Sequence, residues 1–297
     1  KRWNVPRILP PDLKPEWGGD NGGNFLVTPD GIAIVGGNCS RAMRRFVAGM
    51  GYGGRLLTVD MWWRFGGGGG GHVDEVFTVL PVPEEPNGYV IGVADPAMGL
   101  KLLGEIKRER IVDELRGLLS SLYQLRHLYP QSFSKDEAVL GMKMAEEVGK
   151  LYGALEGGRG PDYFAANLSK NLAGRLSSVI EMTIANLEKG FRALRPGKPH
   201  VRFVRLPSLL RHEDDGRGGS MLPEVVNSII LGNDVISPDP LLAPFRKKTR
   251  ELLAALGFRC HFIPSATYHN QRGQIHCATV VKRSLTEFIH PQYEPGK

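Results

Sequence analysis

The sequence contains few cysteines, and they are poorly placed for cross-linking. Only Cys39, Cys260 and Cys277 occur among 297 residues. An odd number of widely separated cysteines argues against a disulfide framework and against a zinc site built from cysteines. A reducing compartment is the simplest setting for such a chain, and this predicts a cytoplasmic protein.

The sequence also lacks the apolar stretches that membranes require. No hydrophobic run reaches the length of a membrane span, and no signal peptide is visible. The net charge is +7, but the Arg and Lys residues are scattered and form no basic stripe studded with aromatic residues. We therefore expect neither a membrane nor a nucleic acid as the partner.

Short apolar runs on both sides of a helical middle predict an α/β fold. Residues 24–35 are typical of a hairpin around a Pro-Asp-Gly turn, and residues 40–50 of a helix with Ser40 as its N-cap. Strand and helix patterns alternate again between residues 229 and 281. Apolar residues at helical spacing predict that residues 99–194 are mainly helical.

Six consecutive glycines, residues 66–71, precede a His and two acids. The run lacks the Lys and the Ser or Thr that follow the last Gly of a phosphate-binding loop, so it is interpreted as a flexible connection. The residues after it are typical of a strand, on which His72 and Asp74 would share one face while Glu75 points away. Such a pair suits proton transfer or the binding of a cation, and an ordinary exposed pair is the alternative.

Cys277 differs from the other two cysteines in its surroundings. It follows a Gly turn and lies beside His276, at the start of a stretch that is typical of a strand. A Cys is a nucleophile as its thiolate, which a nearby cation stabilises. The alternative is a small buried hydrophobic residue, which is the expectation for Cys39 and Cys260.

Five segments of the chain resemble the C-terminal catalytic domain of the peptidylarginine deiminases, a branch of the guanidine-modifying enzyme superfamily. Their order and approximate spacing are similar too, and the resemblance covers about residues 3–98 and 200–285. The segments are GNFLVTP (23–29), GHVDE (71–75), LPEVVNSIILG (222–232), LAALGFRCHFI (253–263) and TYHNQRGQIHCATV (267–280).

The resemblance implies a fold and a domain organisation. The family fold is a pseudo-fivefold α/β propeller of short ββαβ modules, the pentein-like fold. Residues 1–297 would form one deiminase catalytic domain, with a helical insertion at about residues 99–194. A homodimer is left open.

The resemblance also implies an activity, the hydrolysis of arginine residues in proteins to citrulline with release of ammonia. In this reaction Cys277 would attack the guanidinium carbon, and His72 would act first as the acid and then as the base. Asp74 would bind the guanidinium nitrogens. Arginine-containing proteins are the expected substrates, and no organic cofactor is implied.

Two features depart from the family pattern. The family has a second catalytic Asp well before the GNFL stretch, but neither Asp12 nor Asp20 lies in a matching motif, so we expect the chain to be incomplete at its N-terminus. Two alternatives therefore stay open. One is a deiminase of a small guanidine such as agmatine or free arginine, and the other is a catalytically incomplete relative that binds arginine-containing partners.

Calcium binding is implied by the resemblance and weakened by the sequence. Calcium-dependent members have a Glu where this chain has Leu26. The backbone carbonyls of Gly22 and Phe25 could still bind the ion, but Ca²⁺ prefers charged oxygen ligands. Calcium dependence is therefore a weak expectation.

Overall fold

The structure is a computed structural model. It describes residues 20, 22–59, 71–106, 174–212, 218–220, 222–265 and 274–277. Most of the predicted helical middle, most of the glycine run and the end of the predicted closing strand (278–281) lie outside the described residues.

The first part of the fold is a three-stranded sheet with one crossover helix. The second strand is antiparallel to the first and parallel to the third. As the sequence predicts, the hairpin turns at Gly31, whose φ of 80° suits a glycine, and the Ser40 hydroxyl accepts a hydrogen bond from Met43 N at 3.0 Å. The elements are β1 (Phe25–Val27), β2 (Ala33–Gly36), α1 (Arg41–Val47) and β3 (Leu56–Val59).

The second part repeats this connectivity with longer elements. Its first two strands are antiparallel, and the third is parallel to the second. All seven residues of the middle strand are buried. The amphipathic helix predicted before residue 195 is confirmed as α3. The elements are β4 (Phe77–Pro81), β5 (Tyr89–Asp95), α2 (Pro96–Gly104), α3 (Gly174–Leu194) and β6 (Phe203–Pro207).

The third part follows a short antiparallel hairpin and has the same connectivity once more. Two antiparallel strands lead into a helix and a third strand, which is parallel to the second. The helix and the last strand are those that the sequence predicts. The elements are the hairpin β7 (Leu210–His212) and β8 (Gly218–Ser220), then β9 (Ile229–Leu231), β10 (Asp234–Pro238), α4 (Ala243–Ala254) and β11 (Arg259–Ile263).

The three parts share one hydrophobic core. Buried residues of one continuous cluster come from every unit, including Ile34, Phe77 and Val235. Helix α3 approaches the first unit so closely that a Cβ at Gly190 would lie 2.7 Å from a methyl carbon of Leu57. The described residues therefore form three ββαβ units, although the sequence shows no repeat.

The turn before the first strand of each unit is what positions the candidate site. These turns are Gly22–Asn24 before β1, Val73–Glu75 before β4 and residues 224–228 before β9. None of the described helices has the length and apolar character needed to cross a membrane.

Candidate active site

His72 and Asp74 lie on a turn rather than on a strand. Residues Val73–Glu75 form a 3₁₀ helix, and the strand begins only at Phe77, so the predicted strand geometry is wrong here. The carboxylate of Glu75 turns back and accepts a hydrogen bond from His72 N at 3.3 Å. This bond is half of a capping box, in which a Glu three residues after the cap reaches back to the cap backbone, and it stabilises the turn instead of letting Glu75 point away.

The predicted closeness of His72 and Asp74 nevertheless holds, through a different geometry. Both side chains face the same glycine of the turn before β1. A Cβ at Gly23 would lie 2.9 Å from His72 Nδ1 and 2.8 Å from Asp74 Oδ2. Only a residue without a side chain therefore fits between the first turn and these two groups.

Cys277 reaches the same group from the other end of the chain. Residues 275–277 form a turn, not the start of a strand, which corrects the prediction for this stretch. The Cys277 thiol donates to Asp74 Oδ2 over 3.4 Å. Asp74 and Cys277 are 203 positions apart in the sequence, and the structure brings them together beside His72, as the family resemblance implies.

The Cys277 thiol is protonated at neutral pH in this arrangement. Its pKa is raised to about 12, first because the surrounding protein groups withdraw Sγ from water and second because Asp74 is negatively charged. The residue as a whole is exposed, so a substrate can approach it. By contrast Cys39 is buried and Cys260 half-buried, and burial raises their pKa values to about 12 and about 11.

Asp74 is the buried charge at the centre of the site. Its side chain is 2% exposed, and its Oδ2 also contacts His276 Nδ1 at 2.8 Å. Among the described residues no donor forms a hydrogen bond with Asp74 Oδ1, although this oxygen is buried. A buried carboxylate oxygen without a donor is costly, so the site favours a ligand that carries N–H groups and positive charge.

Asn227 is a site residue that the sequence interpretation missed. Its side chain is fully buried. Its Nδ2 donates to Asp74 O at 3.2 Å and to Cys277 Sγ at 3.3 Å. Its Oδ1 accepts from His276 N at 2.9 Å and from Cys277 N at 3.4 Å. The amide therefore joins the two halves of the site.

A signal for this residue exists in the sequence, but it is incomplete. Asn227 is a polar residue in the apolar run VVNSII, and a buried amide there needs partners. The sequence does not show which partners, because they lie 50 and 153 residues away. His276 was likewise noted only as a neighbour of Cys277, whereas its ring contacts Asp74.

A second buried network holds the turn that carries Cys277. Gln274 accepts a hydrogen bond from Glu224 N at 2.5 Å and donates to the Ser220 hydroxyl at 3.2 Å. The Glu224 carboxyl accepts from the Ser208 hydroxyl. Burial raises the pKa of Glu224 to about 8, and the hydrogen bonds from Ser208 and Ser220 only partly offset this.

The described residues near Gly22 and Phe25 supply few charged oxygen ligands for a calcium ion. Leu26, at the position of the family Glu, packs into the hydrophobic core. Asp20 Oδ1 accepts from Ser40 N at 2.6 Å at the start of α1, whereas its buried Oδ2 has no hydrogen-bond partner among the described residues. In the part of the chain that the structure describes, no group of three His, Cys, Asp or Glu side chains could hold a metal. Calcium binding through the carbonyls of Gly22 and Phe25 stays a prediction.

Comparison with known proteins supports the resemblance. Residues 200–289 match the sequence model of the protein-arginine deiminase (PAD) family. Human protein-arginine deiminase type-4 is 29% identical over 93 residues, which are 29% of this chain and 14% of that protein. Rat protein-arginine deiminase type-3 is 32% identical over 93 residues, with the same two shares.

A longer but weaker match extends the similarity towards the N-terminus. Human protein-arginine deiminase type-1 is 24% identical over 225 residues, which are 73% of this chain and 28% of that protein. The predicted resemblance to the protein-arginine deiminases is therefore confirmed. The matched part spans 14% to 28% of the length of these relatives.

Proposed function

We propose that this chain hydrolyses arginine side chains of proteins to citrulline and ammonia. Cys277 is the nucleophile, Asp74 binds the guanidinium group, and His72 transfers protons. The observation that carries this proposal is the buried Asp74 carboxylate. It has one oxygen without a donor among the described residues, and it contacts the thiol of Cys277, a residue that is exposed as a whole.

A guanidinium group matches this arrangement in charge and shape. It is planar and cationic, and its N–H groups form paired hydrogen bonds with a carboxylate. Bound at Asp74 Oδ1, it would supply the missing donor and offset the negative charge that faces Cys277. Because that charge helps to raise the pKa of the thiol, substrate binding would favour the thiolate.

The first half of the reaction forms a covalent bond to the enzyme. Cys277 Sγ attacks the guanidinium carbon, and the bond from this carbon to one terminal nitrogen breaks. The thiol proton passes through His72 to the departing nitrogen, which leaves as ammonia. The product is a positively charged thiouronium group on Cys277.

The second half returns the enzyme to its starting state. Water attacks the same carbon, and His72 takes one of the protons of that water. The carbon–sulfur bond then breaks, the sulfur keeps the second proton of that water as the restored thiol of Cys277, and the substrate leaves with the urea group of citrulline. His72 releases the proton it took to the solvent or to the departed ammonia. The Glu75 bond to the backbone of His72 keeps the imidazole beside the carboxylate during both halves.

Protein substrates are proposed from the comparisons rather than from the site. The matched relatives are named protein-arginine deiminases, and nothing in the geometry favours a small guanidine. The same comparisons and the three ββαβ units support a single catalytic domain with the pseudo-fivefold propeller fold. Cytoplasmic location and a homodimer stay predictions of the sequence.

Citrulline formation in an arginine-containing peptide tests the proposal. Mass spectrometry should find the arginine-to-citrulline mass change with the unaltered chain and none with Cys277→Ala. Cys260→Ala is the matched control, because it removes a half-buried thiol on β11, outside the turns that form the site, and it should retain activity. Parallel samples with calcium and with a chelator show whether the ion is needed. A folded chain that forms no citrulline in either condition contradicts the proposal.

A further inference from the structure

Asn227 is placed to act on the sulfur itself. A side-chain amide has donors on its nitrogen and an acceptor oxygen in one rigid plane, and Asn227 uses both ends. Its Oδ1 faces two backbone N–H groups, and its Nδ2 faces a backbone carbonyl and Cys277 Sγ. Reversing the amide would place N–H against N–H and oxygen against oxygen, so the network fixes which end meets the sulfur.

Burial and two negative charges oppose ionisation of the sulfur, so each donor to it counts. The groups that face it are Asp74 and Glu75 from the turn before β4, whose charges raise the pKa of the thiol, and His276 from its own turn, which is engaged with Asp74. Two hydrogen bonds lower that pKa, first the one from the backbone of Gln274 and then the one from the Asn227 side chain, which is the side-chain donor. Because a hydrogen bond to an ionised acceptor is about twice as strong as a neutral one, this N–H···S contact strengthens when the proton leaves.

We propose that Asn227 is a further catalytic residue, whose Nδ2 donates to the Cys277 thiolate while its Oδ1 holds the Cys277 backbone in place. The inference deepens the proposed deimination and rests on it in taking Cys277 as the nucleophile. The donor stabilises negative charge on sulfur before the bond to carbon forms. The acceptor keeps that sulfur within reach of Asp74.

The reactivity of the three cysteines tests this role without requiring deimination. The full chain is treated with iodoacetamide across a pH series, and mass spectrometry follows the modification of Cys39, Cys260 and Cys277 separately. Asn227→Ala removes both ends of the amide. Asn227→Asp keeps the acceptor oxygen and the shape but replaces the donor. In both variants the modification of Cys277 should slow by roughly tenfold or more at each pH below the thiol pKa, because less thiolate is present.

Two controls separate this effect from damage to the fold. Buried Cys39 reports opening of the structure, because it is 4% exposed and would react faster in an opened chain. Asn24→Asp makes the same chemical change at the corresponding turn before β1 and should leave the rate at Cys277 unchanged. Unchanged or faster reaction of Cys277 in Asn227→Ala, with Cys39 still protected, overturns the inference. Slowing in Asn227→Asp alone also overturns it, because the added charge would then be the cause.

Citrulline formation by the same variants gives the second readout. Loss of thiolate stabilisation should lower kcat and leave KM nearly unchanged, since Asp74 still binds the guanidinium. A rise in KM with an unchanged kcat would contradict the role assigned to Asn227. If the unaltered chain forms no citrulline but the reactivity of Cys277 still depends on Asn227, the proposed deimination fails while the contact of the amide with the thiolate stands.

Discussion

Asn24 and Asn227 occupy the same position in two ββαβ units, in the turn just before the first strand. Both are buried, and each accepts a hydrogen bond from the backbone of another turn. The Asn24 Oδ1 accepts from Val73 N at 3.2 Å, and the Asn227 Oδ1 accepts from His276 N at 2.9 Å. In both cases a side-chain amide links two neighbouring turns of the candidate site.

The two residues differ in what their donor end contacts. The Asn24 Nδ2 donates to another amide, Asn38 Oδ1, at 2.8 Å, and Asn38 in turn donates to the Gly71 carbonyl at 3.1 Å. The Asn227 Nδ2 contacts Cys277 Sγ instead. The two units thus share a buried Asn that links neighbouring turns. Whether this amide supports the fold or contacts the nucleophile depends on the turn that lies opposite its Nδ2.

The largest loss of activity is expected at Gly23, where the turn before β1 packs directly against His72 and Asp74. Gly23→Ala would place a Cβ within 2.9 Å of both His72 and Asp74, so one of these groups has to move. We expect citrulline formation to fall by roughly a hundredfold or more, because small displacements of reacting groups are costly. Gly22→Ala is the matched control, since no atom lies within 4 Å of its added Cβ. Equal activity of the two variants would show that the close packing of the turn before β1 does not position His72 and Asp74.

The next largest effect is expected at Asn24, whose loss should lower stability without changing the reactivity of Cys277. Asn24→Ala leaves the Val73 N–H and the Asn38 carbonyl oxygen without their partners, which should lower the free energy of unfolding by about 1–3 kcal/mol. Denaturant unfolding measures this, with Asn233→Ala at an exposed turn as the control. The rate of Cys277 modification in the still-folded variant should not change. A slower modification of Cys277 in Asn24→Ala would contradict the view that Asn24 supports the fold whereas Asn227 stabilises the thiolate.

The smallest effect concerns the Glu224 network that holds the turn carrying Cys277. Burial raises the pKa of Glu224 from 4.5 to about 8, so the folded state binds its proton more tightly than the unfolded state. The stabilisation is therefore complete below about pH 4.5 and is lost as the pH rises through about 8.

Glu224→Gln should flatten this part of the stability profile, because glutamine keeps the shape and does not titrate. Denaturant unfolding between these pH values is the measurement, and Glu251→Gln on the exposed face of α4 is the control. A profile for Glu224→Gln that falls as steeply as that of the unaltered chain would mean that another group titrates.

The sequence was sufficient for the local elements and for the chemistry-bearing residues. The Pro-Asp-Gly turn, the Ser40 cap and the amphipathic α3 are set by neighbouring residues, and each was predicted correctly. His72, Asp74 and Cys277 were found because their residue types and order resemble a family. The 3₁₀ turn was missed because a strand-like apolar alternation continues through residues 73–81, whereas the Glu75 contact with the backbone decides the conformation.

The site residues that the sequence did not predict depend on contacts between turns that are distant in the chain. Asn227 and His276 meet Asp74 only after the units have packed on their common core, and no local pattern indicates which turns will face one another. The same holds for Gly23, whose lack of a side chain matters because of residues about fifty positions away.

The most direct test of the account is the covalent state of Cys277 during turnover. The chain is mixed with an arginine-containing peptide, quenched in acid after short times, digested and analysed by mass spectrometry. The account predicts a thiouronium adduct on the fragment that contains Cys277, formed and lost on the time scale of citrulline production and absent in Asp74→Asn. Citrulline that accumulates with no adduct at any time, or an adduct on Cys39 or Cys260, would contradict it.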